Sequence, residues 1–121
     1  MKAIFEVTDE MVRVAKEQNP GAVLTQIDST LDDERVFSCV VKKPGNASVA
    51  RYIQALSTAS KGKKDVEPVH RRFCMDQIVV PSPEVFCDLI DSMNLPLLST
   101  SLASDLIEGH GIITESKKKI L

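Results

Sequence analysis

The spacing of apolar residues changes along this chain, from a period near two before Lys42 to one near 3.6 after Asn46. Residues 3–7 carry Ile4, Phe5 and Val7 and predict a short strand. Thr8 then stands where a helix cap belongs. Asp9 and Glu10 follow at the positive helix end, and Asn19-Pro20-Gly21 stops the segment. Residues 23–27 predict a second strand and 28–34 a polar turn. Residues 35–41, rich in β-branched residues and holding Phe37, predict the strongest strand of the chain.

After Lys42-Lys43-Pro44-Gly45 the pattern becomes helical. Val49, Tyr52, Ile53, Leu56 and Ala59 form a stripe, and Lys61-Gly62 closes it. A further helix begins at Asp65 or Val66 with Pro68 in its first turn, and Val69, Phe73 and Gln77 mark its inner side. Pro81 disfavours helix at Val80, so residues 78–80 are expected to be extended. Ser82-Pro83-Glu84 reads as cap, first-turn proline and first-turn acid. The helix it opens carries Val85, Phe86, Leu89, Ile90 and Met93. Asn94-Leu95-Pro96 turns the chain into a last helix with Leu98, Leu102, Ala103, Leu106 and Ile107, ended by Gly109.

The expected architecture is therefore α+β: a small N-terminal β element of two or three strands, followed by a bundle of about four short helices. One domain should span residues 1–121, with a β-containing part at 1–43, a helical part at 46–110 and a flexible tail at 112–121. Val49, Ile53, Leu56, Phe73, Phe86, Leu89, Ile90, Leu102 and Leu106 are the expected core.

Composition changes this picture little. The chain has 121 residues, enough for a core without disulfides or metals, and its hydrophobic and charged fractions of 43% and 26% are ordinary. A net charge of −2 gives no whole-molecule attraction to nucleic acid or to an anionic membrane, so neither is an expected partner. Lys61, Lys63, Lys64, Arg71 and Arg72 form one basic stretch over 61–72. With no aromatic residues interleaved for base stacking, it reads as a solvated surface. No apolar leader precedes the first strand, no run approaches the ~20 residues that span a membrane, and Cys39, Cys74 and Cys87 show no CxxC pair. These features fit a reducing cytoplasm.

Candidate chemistry is thin. His70 and Cys74 share a helix face and, with Cys87 and His110, could be drawn together as a zinc site or a Cys/His nucleophile pair. Cys74 and Cys87 nevertheless sit at positions that suit buried apolar residues. Asp28, Asp32, Asp33 and Glu34 lack the spacing and central glycine of a calcium loop. His110 lies between Gly109 and Gly111 as a helix end and turn would. The residues point to a protein with no catalytic residues, no cofactor and no metal. A small enzyme or metal protein using the Cys/His set, or a nucleic-acid regulator using 61–72, is the alternative.

One resemblance adds a function. The run Val36-Phe37-Ser38-Cys39-Val40-Val41-Lys42-Lys43-Pro44, a helix holding Tyr52, the step Val79-Val80-Pro81-Ser82-Pro83-Glu84 and a Leu-rich helix pair ending at Gly109 or Gly111 follow one another in order. This layout over 36–111 resembles phage tail assembly chaperones, and residues 1–31 extend beyond it. The resemblance implies a non-catalytic protein of the bacterial host cytoplasm. Its client would be the tape-measure protein, a long hydrophobic helical protein, and it would contact the tail tube protein. The apolar faces of the last two helices are the expected contact, through Val85, Leu89, Met93, Leu98 and Leu102. It also implies a longer product, read through in a shifted frame near Lys117-Lys118-Lys119, the alternative for that run being a solvated basic tail.

Overall fold

The computed structural model describes residues 2–31, 34–95, 97–108 and 118–120. Five strands and five helices follow in the order β1 (Lys2–Phe5), α1 (Asp9–Gln18), β2 (Leu24–Thr30), β3 (Arg35–Lys42), α2 (Asn46–Lys61), α3 (Glu67–Gln77), β4 (Ile78–Val80), α4 (Pro83–Met93), α5 (Leu98–Glu108) and β5 (Lys118–Ile120). The fold is α+β, as the change of period predicts.

All five strands form one sheet with β3 at its centre. β2 pairs antiparallel along one edge of β3, from Leu24 opposite Lys42 to Thr30 opposite Val36. The other edge is shared: β1 runs parallel beside residues 35–37, and β4 runs antiparallel beside Val40 and Val41. Val80 is joined to Pro81 by a cis peptide bond. β2 extends three residues past the expected strand, into the segment 28–34 read as a turn. From Ile27 to Thr30 its residues alternate inward and outward, but Ser29 occupies an inward position and hides the apolar period. Lys118–Ile120, expected within a flexible tail, instead pair antiparallel with Thr25–Ile27 as the outermost strand.

The two faces of the sheet carry unequal layers. Leu24 and Val40 point toward α1 and pack with Ala15. Ile27, Phe37, Cys39 and Val41 point the other way, into the main core beneath α2–α5. α3 is central to that layer and touches α2, α4 and α5, while α5 also packs on β2. Phe37 links sheet and helices: its ring lies 6.3 Å from Phe5 and 5.8 Å from Phe86. Of the expected core, Phe73, Phe86, Ile90, Leu102 and Leu106 are buried, and Val49, Leu56 and Leu89 are half-buried. Ile53 is a correction, being 56% exposed. α2 is turned so that Tyr52 and Ala59 face inward, and Ile53 follows Tyr52 about 100° further round the helix.

Candidate functional site

Two surfaces stand out, one on α4 and one between α2 and α3. The sequence builds α4 sharply. Ser82 Oγ accepts the Val85 N–H at 3.3 Å, Pro83 opens the first turn, and Asn94 ends the helix in the left-handed conformation with φ of 52°. Asparagine tolerates that conformation better than most residues. Four rows then run down the helix, one of them the exposed polar row Glu84, Asp88 and Ser92. Phe86 and Ile90 enter the core. Cys87 and Asp91 face α3, where Cys87 Sγ meets Met75 Sδ at 3.4 Å and Asp91 accepts from Arg71 at 3.0 Å. Val85, Leu89 and Met93 lie on the opposite flank, about 100° from the core stripe.

That flank is apolar and open. Val85 is 41% exposed, Met93 38%, and Leu97, after the turn, 67%. Leu89 is half-buried between Val85 and Met93 and anchors the row to the core. The two α5 residues expected in this contact are elsewhere: Leu98 and Leu102 are fully buried. α5 lies across α3 and β2, so its leucines close the core and face no solvent. The sequence-predicted contact is thereby reduced to the α4 residues, and Leu97 joins them.

The second surface was not anticipated. A cleft of about 330 Å³ separates α2 from α3. Its floor is a stacked aromatic pair, Tyr52 on Phe73, with ring centroids 4.2 Å apart and planes 14° from parallel. Ala55, Pro68 and Val69 form the walls, and Ser48, Arg51, Arg72 and Asp76 complete the lining. The Tyr52 hydroxyl points away into the protein and lies 2.7 Å from His70 Nδ1. Burial raises the Tyr52 pKa, with the neighbouring Cys74 thiol adding to the effect, so the phenol keeps its proton, and the imidazole tautomer sets which partner donates.

This pairing also decides the fate of the Cys/His set. His70 is buried against Tyr52, and Cys74 is buried with its thiol donating to the Ser99 carbonyl at 3.3 Å. Desolvation pushes the Cys74 and Cys39 thiols well above their ordinary range, the opposite of what a nucleophile needs. Cys87 is spent on Met75. His110, Gly109, Gly111, Pro96, Asp32 and Asp33 lie outside the described residues. Among the described residues no three His, Cys, Asp or Glu side chains are grouped to hold a metal ion, and no helix is long and apolar enough to cross a membrane.

The basic stretch is divided by the fold. Arg71 is committed: its guanidinium grips Glu67 through Nε at 2.8 Å and 3.2 Å and through Nη2, and reaches Asp91 from α3 to α4. These carboxylates raise its pKa further above the already high guanidinium value. Arg72 points outward with its side chain 80% exposed, and meets Asp76 only loosely at 3.6 Å. No family model, curated protein or solved structure matches the chain.

Proposed function

We propose that this chain is a non-catalytic binding protein that shields an apolar client helix, as a phage tail assembly chaperone shields the tape-measure protein. The observation that carries the proposal is the α4 flank: Val85, Leu89 and Met93 at four-residue intervals, continued by Leu97, on a helix whose core-facing and α3-facing stripes are already engaged and whose remaining row, Glu84, Asp88 and Ser92, is polar. An amphipathic client helix presents apolar residues with the same period and would lay them along this row. Methionine suits such a contact because its unbranched thioether adapts to partners of varied shape. Leu89 gives the row a fixed centre, and the exposed residues on either side supply the area lost to water on binding. Contact with the tail tube protein belongs to the same proposal.

The test is co-expression with the tape-measure protein of the same gene cluster. The native chain should keep that protein soluble and co-purify with it. Val85→Asp combined with Met93→Asp should abolish both effects while leaving the circular dichroism spectrum unchanged. An insoluble client beside the native chain, or full retention by the double variant, would overturn the proposal.

A further inference from the structure

The α2–α3 cleft has the features of a second binding site, on a different face from the α4 row and independent of the tail-chaperone proposal. Its interior is apolar, formed by the Tyr52–Phe73 stack and by Ala55, Pro68 and Val69. At about 330 Å³ it falls within the size of sites that take a ligand group or an anchoring side chain. Its charged lining comes from two elements, Arg51 on α2 and Arg72 with Asp76 on α3, two cations to one carboxylate. Among the described residues no carboxylate pairs with Arg51, and Asp76 holds Arg72 at 3.6 Å, too far for a tight pair. Lys61, Lys63 and Lys64, at and just beyond the end of α2, are exposed and add positive potential to a molecule whose net charge is −2.

We propose that this cleft receives a helical protein segment with an apolar anchor flanked by carboxylates. Two parallel walls of helix leave a groove that a third helix can fill with one large side chain. Arginine forks on both sides then match Glu or Asp on the flanks of that helix, setting its orientation and speeding its approach. Nucleic acid is the poorer occupant. Base stacking needs an exposed aromatic face, and here Phe73 is 3% exposed while Tyr52 is 9% exposed and already stacked on it.

The experiment uses the full chain and two synthetic 18-residue amphipathic peptides. Both carry one leucine stripe; one has glutamates beside the stripe and the other lysines. The glutamate peptide should bind, weaken as salt is raised, and shift the amide resonances of Ala55, Val69 and Arg72. Arg51→Glu with Arg72→Glu should lower its affinity by about tenfold or more and create affinity for the lysine peptide. Both substitutions are at exposed positions, and the unchanged thermal transition of the variant serves as the folding control. Equal binding of the two peptides, binding of neither, resonance shifts confined to Val85–Met93, or displacement of the glutamate peptide by a mixed-sequence DNA duplex would each overturn the proposal.

Discussion

Adjacent residues on α4 should respond oppositely to truncation, and the contrast isolates the α4 row from the core. Phe86 is fully buried, and its ring packs at 5.8 Å on Phe37. Phe86→Ala removes a ring whose transfer from water contributes about 2–3 kcal/mol. It also opens a void of roughly 100 Å³, which costs about 2 kcal/mol more if the surroundings hold their places. They should largely do so, because Phe37 belongs to a strand paired on both edges. Partial relaxation brings the expected loss to about 4 kcal/mol, near the middle of the range for such truncations. For a chain of this size that lowers the thermal midpoint by roughly 12–20 °C. Val85, one residue earlier and 41% exposed, should lose less than about 0.5 kcal/mol as Val85→Ser. Urea unfolding followed by circular dichroism measures both. A loss below about 1 kcal/mol at Phe86, or one above about 2 kcal/mol at Val85, would show that the core and solvent stripes of α4 have been assigned the wrong way round.

Three further outcomes follow from the same geometry. Tyr52→Phe keeps the stack on Phe73 but leaves buried His70 Nδ1 without its partner, and should cost about 1–2 kcal/mol in urea unfolding. Arg71→Ala removes the tie between α3 and α4 and leaves half-buried Glu67 unpaired; it should cost about 1 kcal/mol, less at high salt, read from the same unfolding curves. Cys39 and Cys74 should resist iodoacetamide in the folded protein and react after unfolding, as mass spectrometry of the labelled peptides would show. Their raised folded pKa also fixes a sign. The unfolded chain releases both thiol protons near pH 8.5 while the folded chain retains them, so stability is intact below that pH and falls as the pH rises beyond about 9.

Much of the fold was legible because local chemistry and tertiary structure agree. Thr8 and Ser82 cap helices as their positions suggest, accepting from the Met11 and Val85 N–H groups. Asp65 takes part at the start of α3, where its carboxylate accepts the Glu67 N–H at 3.0 Å. What the sequence concealed depends on partners distant along the chain. Tyr52 and Ile53 compete for the inner face of α2, and only the presence of His70 and Phe73 opposite explains why the tyrosine takes it. The stripes on α4 and α5 look alike as sequence. α5 is buried because α3 and β2 lie against it, and among the described residues no element covers the outer flank of α4 in the same way. The basic stretch shows neither that Arg71 is consumed in an ion-pair network nor that Arg72 faces a cleft, since both depend on how α3 is rotated. Nothing in the local pattern of Lys118–Ile120 marks a strand; its partner, Thr25–Ile27, lies at the other end of the chain.

The central claim is that the outer flank of α4 holds a client helix, and site-specific photo-crosslinking tests it most directly. A benzophenone-bearing residue placed at Val85 or Met93, with Lys16 on α1 as control position, is introduced into the full chain co-expressed with the tape-measure protein of its gene cluster. The account predicts crosslinked client from Val85 and Met93 and none from Lys16. Crosslinking from Lys16 at equal yield, or its absence from both α4 positions while the client remains soluble, would contradict it.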